Sequence, residues 1–406
     1  MLYDIFVDYY DFNSLFILIF SELTNFFFCS FVLLLLYYFK KLDFTELIVW
    51  LFGFASVFFV SAFVINQGTF PDIDGYMVCL RDLRDNWSFQ EKDCGFTQIE
   101  LKELFNFFNL KRPFTALLYG IVPIPSTASI VSLGVINKLY LLGLYLFIKP
   151  RLINDQAKWL LLIFFFLPTI LIYSSTGLRD NLILITQILL LFTIIERRLI
   201  ISTVLLTILF AIKTQNALIL SILYLGVFIF RSHARFLNLG IFAFLILIFI
   251  LIFNEFILDV LNYFRLAFLN EVGLLHSEQE FVGYTSLFRV ILASPIIFIN
   301  ALIEPGLSSD PFSMIFFLES LLIIYLFLKF IFSSRFFSSS LNVLVFLVFF
   351  TGIVLNQLVV ESDYTLLRYR YTYIHLFLFY LLLIYDQSER KISFPFLPKP
   401  NKELSS

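Results

Sequence analysis

The sequence contains few of the residues that metal centres and nucleotide-binding sites require. It has 3 histidines and 3 cysteines among 406 residues. His233, His276 and His375 are far apart in the chain, and neither an HExxH nor a CxxC motif occurs. A Walker loop and a glycine-rich dinucleotide-binding loop are missing as well. These absences argue against ATP use and against a metal centre built from histidine and cysteine.

Charged residues are also scarce, at 14%, whereas hydrophobic residues reach 60% and include 56 phenylalanines. Soluble globular proteins have an apolar share of about 45 to 50%. The composition therefore predicts an all-α, polytopic membrane protein. The acidic N-terminal segment 1–13 lacks the basic start and small-residue cleavage site of a signal peptide, so we expect the first apolar stretch to be retained.

Eleven apolar stretches are long enough, or nearly so, to cross a bilayer, which takes about 20 helical residues. They are residues 15–38, 47–65, 128–148, 159–173, 182–195, 199–212, 217–230, 236–253, 312–331, 341–360 and 371–385. The four stretches between residues 159 and 230 are short. We expect these four to lean on their neighbours and to line a site.

The gaps between these stretches alternate in kind, because every second gap is short and basic. The basic gaps contain Lys40, Lys41, Lys149, Arg151, Lys158, Arg197, Arg198, Arg231, Arg235, Lys329, Arg335, Arg390 and Lys391. Since lysine and arginine concentrate in cytoplasmic loops, the pattern places the N-terminus outside and the C-terminus inside. This orientation requires that the apolar segment 287–302 is re-entrant or lies against the outer face.

We expect one transmembrane domain over residues 1–390 and a cytoplasmic tail at 391–406, with outer loops at about 66–127 and 254–311. Each outer loop contains a pattern typical of an amphipathic helix lying in the interface. The first pattern consists of Leu101, Leu104, Phe105 and Phe108, and the second opposes Asp259 and Asn262 to Leu258, Leu261 and Phe264. Cys79 and Cys94 both fall in the first loop, where they are either bridged or two free thiols.

Two carboxylates follow the second apolar stretch, in Thr-Phe-Pro-Asp-Ile-Asp-Gly-Tyr at 69–76. Pro71 favours an extended backbone before it, and an extended segment would place Asp72 and Asp74 on one face. Two such carboxylates can share a proton, bind a divalent cation, or leave one as a general base for a sugar hydroxyl. The alternative is a solvated turn, in which Asp and Gly are common.

Arg179 and Asp180 lie in the predicted outer turn Ser-Ser-Thr-Gly-Leu-Arg-Asp-Asn at 174–181. Asp180 is explained equally well as a cap of the following helix. Arg179 is not, because a cation at a helix start opposes the helix dipole and calls for an anionic partner. We therefore expect both residues at a substrate-binding site, where a lipid phosphate would suit Arg179.

Two lysines are placed in or next to apolar stretches. Lys213 interrupts a pair of short stretches, close to membrane depth, where a charge costs roughly 2.5 to 3.5 kcal/mol. It either binds substrate or extends to the outer headgroups. Lys138 follows Asn137 inside the third stretch, either as a polar anchor between helices or as a cavity residue.

Arg368 and Arg370 open the last apolar stretch from the predicted outer side, in Leu-Arg-Tyr-Arg-Tyr at 367–371. In a helix they would point about 200° apart, so that at most one faces a central cavity, whereas in an extended segment both could. Guanidinium groups suit a diphosphate, and an aromatic and basic interfacial belt is the alternative. Further outer or buried candidates are Arg265, Arg289, Glu304 and Glu319.

In their order along the chain, these features resemble bacterial membrane glycosyltransferases of the C superfamily (GT-C), and they are similar also to O-antigen and exopolysaccharide repeat-unit polymerases. The resemblance covers about residues 47–385. Besides the acidic first outer loop, it rests on the 174–180 turn, the polar break at Lys213, Pro305 and Pro311, and the Arg-Tyr-Arg-Tyr segment at 368–371. Two helices precede the acidic loop here, where those enzymes commonly have one.

In GT-C enzymes, an acidic residue of the first outer loop acts as base on the acceptor hydroxyl, and basic residues bind the phosphate of a polyprenyl-linked sugar. The resemblance therefore implies Asp72 or Asp74 as the base. It places around the phosphate the residues Arg179, Lys213, Arg368 and Arg370. The implied fold is GT-C-like.

We therefore expect a glycosyltransferase at the outer face of a bacterial inner membrane, in cell-surface polysaccharide assembly. No nucleotide sugar is available on that side, so the donor would be linked to a lipid. The expected partners are membrane lipid and a polyprenyl-linked sugar or oligosaccharide, without nucleic acid. No cofactor is expected, apart from a divalent cation that Asp72 and Asp74 could hold. The alternatives are a repeat-unit polymerase, a flippase or transporter of lipid-linked oligosaccharide, and a structural subunit.

Overall fold

The computed structural model describes residues 12–64, 76–77, 79–80, 83, 111–126, 131–229, 248, 252–271, 283–303, 311–333, 339–360 and 363–388. In these ranges every regular element is a helix and no strand occurs, which confirms the all-α prediction. The α-helices are α1 Phe12–Tyr38, α2 Phe44–Val64, α3 Lys111–Ile121, α4 Val131–Ile148, α5 Asp155–Phe165, α6 Pro168–Ser175, α7 Asp180–Ile195, α8 Leu199–Ile212, α9 Thr214–Ile229, α10 Asn254–Glu271, α11 Leu287–Ile303, α12 Pro311–Ile331, α13 Ser340–Val359 and α14 Asp363–Ser388.

Three segments of the described chain are long and apolar enough to cross a membrane. They are Ile19–Tyr38, Val131–Arg151 and Ser340–Val359. The pair formed by α5 and α6 adds a fourth if it counts as one broken span. Apolar helices that can span a bilayer are therefore present, while eleven crossings and their orientation stay predictions. The predicted stretch 236–253 lies almost wholly outside the described residues.

The stretch 159–173, predicted as one helix, is divided in the structure. Helix α5 ends at Phe165, and α6 begins at Pro168 with its axis bent by 49°. Proline has no N–H to continue the helical hydrogen bonds, and its ring clashes with the carbonyl four residues earlier. Pro168 therefore ends α5 and opens α6 at its first position, which proline favours.

Two of the predicted basic turns are sharp helix ends. Lys40 follows α1 with φ 56°, and Arg197 follows α7 with φ 63°. In both turns the N–H of this residue donates three residues back and the next N–H donates five residues back, at 2.9 to 3.1 Å. This is the Schellman pattern, in which the left-handed position is usually glycine. Cations are favourable at helix C-termini, which helps both residues to occupy it.

The chain forms two compact units. The first consists of Met1–Leu190 with Thr203–Ala217, and the second of Leu191–Ser202 with Leu218–Ser406. In the first unit, α2 packs against α4 and α6, and α1 packs against α2 and α4. In the second unit, α13 packs against α10, α11 and α14. The prediction of one transmembrane domain over residues 1–390 stays a prediction.

A buried carboxylate joins α2 to α4 in the first unit. Asp43 and Glu46 form a capping box at the start of α2, in which each side chain accepts the backbone N–H of the other residue at 2.8 Å. Glu46 also accepts hydrogen bonds from the Tyr145 hydroxyl and from Lys149 Nζ, the latter at 2.6 Å. Lys149, a predicted topology signal, therefore also fixes the end of α4.

Aromatic rings fill the centre of the second unit. The rings of Phe349 in α13 and Phe377 in α14 stack with centroids 4.5 Å apart, and Phe327 of α12 packs against both. Gly352 allows this close packing, since a Cβ there would lie 2.4 Å from the Tyr373 ring. Phenylalanine contacts thus join the helices α12, α13 and α14.

The predicted outer segment 254–311 contains two helices among its described residues. In α10, Leu258 and Leu261 are buried while Asp259 is exposed, which agrees with the predicted amphipathic pattern. The apolar segment 287–302 is the helix α11, which contains Pro295. The first amphipathic pattern, at 101–108, lies outside the described residues.

Only part of the predicted cysteine bridge can be located. Cys79 is disulfide-bonded, whereas Cys29 is a free thiol buried in α1. Cys94 itself lies outside the described residues.

Candidate functional site

The turn between α6 and α7 contains the first pair of predicted site residues. Helix α6 ends at Ser175, and Gly177 reverses the chain with φ 71°, a left-handed conformation that suits glycine. The Arg179 carbonyl accepts the N–H of Ile183 at 3.0 Å and so starts α7. Asp180 is the first residue of this helix, where a carboxylate complements the helix dipole.

Helix α4 holds this turn through a reciprocal pair of hydrogen bonds. The Asn137 side chain donates to the Leu178 carbonyl at 3.2 Å, and Asn181 donates to the Asn137 carbonyl at 3.2 Å. The backbones of α4 and α6 also approach closely, because a Cβ on Gly134 would lie 2.4 Å from the Ser175 carbonyl oxygen. The turn is therefore fixed against α4 on both sides of Gly177.

Lys213 brings the second predicted outer turn to the first. Its N–H donates to the Leu209 carbonyl at 2.8 Å and its carbonyl accepts from Ala217 at 3.2 Å, so its backbone extends both α8 and α9. The side chain is 8% exposed, and its Nζ lies 3.9 Å from Oδ1 of Asp180. Two turns separated by more than thirty residues thus meet within the first unit.

Two tyrosines cover the same turn. The Tyr119 hydroxyl donates to the Gly177 carbonyl at 3.0 Å, and the Tyr76 ring lies 6.4 Å from the Tyr119 ring. The Arg179 guanidinium carbon lies 6.0 Å from the centroid of Tyr76. Burial raises the pKa of Tyr119 well above its ordinary value, and Tyr76 adds to this rise. The Tyr119 hydroxyl therefore stays protonated and able to donate.

Asp72 and Asp74 lie outside the described residues, so the proposed base stays a prediction. Tyr76, two residues after Asp74 in the sequence, is the nearest described residue of that loop. Among the described residues, no three His, Cys, Asp or Glu side chains gather as metal ligands. A divalent cation at Asp72 and Asp74 likewise stays a prediction.

Lys138 is buried next to Asn137 in α4, with 1% of its surface exposed. Its Nζ donates to the Leu171 carbonyl of α6 at 3.4 Å. Ser175 Oγ donates to the same carbonyl at 2.6 Å, so Lys138 shares its acceptor. The structure thus places the ammonium between α4 and α6. This position agrees with either alternative drawn from the sequence, a helix anchor or a cavity residue.

We call the set Asn137, Lys138, Arg179, Asp180 and Lys213 the basic cluster. Its ionisable members are three basic side chains and one carboxylate. Lys138, Asp180 and Lys213 are buried and Arg179 is half-buried. Basic side chains gathered in this way suit an anionic ligand such as a phosphate. The sequence indicated Arg179, Asp180 and Lys213, but it did not indicate that Asn137 holds the turn through hydrogen bonds.

Arg368 and Arg370 lie in the second unit, on the helix α14, so the helical alternative applies. Arg370 is 2% exposed, and its guanidinium donates to the carbonyls of Ala301 and Leu302 at 2.7 and 2.8 Å and to Ser320 Oγ at 3.1 Å. It therefore caps the C-terminal end of α11. Arg368 lies with its guanidinium carbon 5.7 Å from the Tyr369 ring.

A second buried polar contact joins α14 to α12, and its residue on α14 follows Arg370 by five positions. His375 Nε2 of α14 lies 3.2 Å from Glu319 Oε1 of α12, and Nδ1 lies 2.7 Å from the Tyr371 carbonyl. A carbonyl only accepts, so Nδ1 carries a proton. The contact with Glu319 then requires one further proton, on either partner. Two neighbouring residues of α12, Glu319 and Ser320, thus both contact α14.

Comparison with known proteins gives no match, whether to a protein-family model, to a curated protein or to a solved structure. The described structure itself has two defining features. They are an all-helical fold with helices apolar enough to span a membrane, and a buried basic cluster in the first unit.

Proposed function

We propose that the chain is a membrane glycosyltransferase that uses a polyprenyl-phosphate-linked sugar donor at the outer face of a bacterial inner membrane. The observation that carries the proposal is the 3.9 Å approach of Lys213 to Asp180. It joins two separate turns, both predicted to face outward, next to the guanidinium of Arg179. Cations gathered in this way suit a phosphate ester.

The proposed roles follow from the chemistry of the residues. Lys213 and Arg179 bind the phosphate of the donor, and Asp180 orients Lys213 through their ion pair. Asp72 or Asp74 acts as the general base on the acceptor hydroxyl. Tyr76 supports this assignment, because it belongs to the same acidic segment and its ring faces Arg179.

Single substitutions in a deletion strain test the proposal. Asp74→Asn, Arg179→Met and Lys213→Met, each produced at wild-type level, should remove a glycan from the surface and leave its lipid-linked acceptor unextended. Lys158→Met is the matched control, because Lys158 is paired with the exposed Asp155 on α5. Wild-type glycan in all three variants would contradict the proposal.

A transporter of lipid-linked oligosaccharide is the second candidate, and buried charges inside apolar helices favour it. Besides Lys138, these include Glu22 of α1, which is 6% exposed. Glu22 accepts a hydrogen bond from Ser132 Oγ of α4 at 2.8 Å and lies 3.4 Å from Asn25 Nδ2. A carboxylate held between α1 and α4 in this way suits a polar path through the helices.

The two candidates differ in what accumulates when the protein is removed. A missing transferase leaves unextended lipid-linked sugars on the outer leaflet, whereas a missing transporter leaves complete ones on the cytoplasmic leaflet. The repeat-unit polymerase gives a third pattern, in which single repeat units replace long chains. Leaflet-specific labelling of lipid-linked glycans in a deletion strain therefore decides among the three.

A further inference from the structure

The ammonium of Lys138 is only partly satisfied by the described protein. When protonated it has three N–H donors, but its one hydrogen bond in the described part of the chain is the contact with the Leu171 carbonyl. That contact is 3.4 Å long, beyond the usual N–H to O range of about 2.7 to 3.2 Å. An almost fully buried ammonium in this state is expensive, and a helix anchor would be better satisfied.

The neighbouring Asn137 has a buried acceptor that receives no hydrogen bond from the described residues. Its Nδ2 donates to the Leu178 carbonyl, and since a carbonyl only accepts, the other amide atom must be Oδ1. This oxygen is buried and accepts no hydrogen bond from the described residues. Two adjacent residues of α4 thus present a cationic donor and an amide acceptor without sufficient partners.

Helix α7 adds a further buried amide. Gln187 has no exposed surface, and neither of its side-chain amide atoms has a hydrogen-bond partner among the described residues. It follows Asp180 by seven residues, so the two lie on the same face of α7, about 10 Å apart along the axis. Buried polar groups normally have partners, so this face of α7 also indicates a polar ligand.

We infer that the basic cluster extends into the helices as a binding site for a lipid-linked sugar phosphate. Lys138 binds an anionic oxygen of the phosphate, and Asn137 Oδ1 accepts a hydroxyl of the sugar. The identification of the ligand as a sugar phosphate rests on the proposed function. The need for an anion and for a hydroxyl donor rests on the side chains alone.

Direct binding to the purified full chain tests this site. The chain is placed in nanodiscs of phosphatidylcholine and titrated with undecaprenyl phosphate, with a sugar-bearing undecaprenyl phosphate and with inorganic phosphate, and binding is followed by native mass spectrometry. Lys138→Met should weaken binding of both lipids about 10- to 100-fold, the loss expected for a hydrogen bond to a charged group. Lys138→Arg should retain part of the affinity, and Lys158→Met should bind as the wild type does.

Unfolding of the empty protein separates ligand binding from a structural role. Without ligand, Lys138→Met should unfold at the same temperature as the wild type or higher, because it removes a poorly paired buried ammonium. Ligand should then raise the unfolding temperature of the wild type but not of the variant. A lower unfolding temperature for the empty variant, restored by Asp72→Asn or Asp74→Asn, would overturn the inference in favour of an ion pair within the chain.

The remaining outcomes are equally decisive. Undiminished lipid binding by Lys138→Met overturns the site, and equal affinity for bare and sugar-bearing lipid overturns the role of Asn137. Inorganic phosphate that binds as tightly as the lipids overturns the assignment to a lipid-linked ligand. If Lys138-dependent binding is observed while surface glycans are normal in the Asp74→Asn, Arg179→Met and Lys213→Met variants, the proposed function fails and the site stands. If surface glycans are lost in those variants while Lys138→Met binds both lipids as the wild type does, the proposed function stands and the Lys138 site fails.

Discussion

At the scale of single residues, cations that look alike in the sequence have different surroundings. The guanidinium of Arg370 donates hydrogen bonds to backbone carbonyls at the end of α11. Lys138 has one shared carbonyl, and Lys213 has a carboxylate at 3.9 Å. Arg370 thus has a structural explanation that Lys138 lacks, although both are almost fully buried.

Arg370→Met should therefore lower stability more than it lowers ligand binding. Hydrogen bonds to charged groups contribute about 1.5 to 3 kcal/mol, and we expect a loss of about 3 kcal/mol, since the α11 carbonyls lose a buried donor. Thermal unfolding of the purified protein measures this change. Arg289→Met is the control, because Arg289 is an exposed residue of α11, the helix that Arg370 caps. A stable Arg370→Met variant that fails to bind a lipid phosphate would instead support the phosphate-binding role implied by the resemblance.

At the scale of secondary-structure elements, the position of the α6–α7 turn depends on proline and glycine. Pro168 separates α5 from α6, Gly177 reverses the chain, and Gly134 lets α4 approach the end of α6. We therefore expect a substitution at any of these positions to change the site without touching a charged residue.

Gly134→Ala should displace α6 from α4, because the new Cβ would lie 2.4 Å from a backbone oxygen that has no rotamer to move. Overpacking typically costs about 1 to 3 kcal/mol, and we expect the upper part of this range together with weaker binding at the basic cluster. Gly143→Ala is the matched control on the same helix, since nothing lies within 4 Å of a Cβ there. The higher helix propensity of alanine should leave that variant unchanged or slightly more stable. Equal unfolding temperatures for the two variants would contradict the close packing of α4 and α6.

At the scale of the whole molecule, the alternation of basic and mixed gaps makes a testable statement about orientation. The turn after α7 is predicted to face the cytoplasm, and the segment that joins α3 to α4 is predicted to lie outside. Each contains a well-exposed position, namely Arg198 and Pro125.

Single cysteines at these two positions test the orientation. In a chain that carries Cys29→Ser, Pro125→Cys should react with a membrane-impermeant maleimide in intact cells, and Arg198→Cys should react only after permeabilisation. The parent chain without the added cysteine provides the background. Labelling of Arg198→Cys in intact cells would reverse the predicted orientation.

The helices themselves were largely predictable, since long apolar runs are a local signal. Predicted stretches 199–212, 312–331 and 341–360 agree with α8, α12 and α13 to within a residue at each end. The break before Pro168 was missed, although proline is a known helix terminator. The apolar run continues on both sides of Pro168, so hydropathy alone does not show the break.

The sequence by itself determined the helical class, the apolar surfaces and which residues carry charge inside apolar segments. Only the tertiary structure decided which charge meets which partner. The hydrogen bond from Asn137 to Leu178 spans 41 residues of sequence and that from Arg370 to Ala301 spans 69. Hydrophobic periodicity depends on neighbours along the chain, whereas such partners depend on how helices pack. The sequence could therefore indicate Lys138, Lys213 and Arg370, but it could not show that Arg370 caps a helix end while the two lysines belong to the basic cluster.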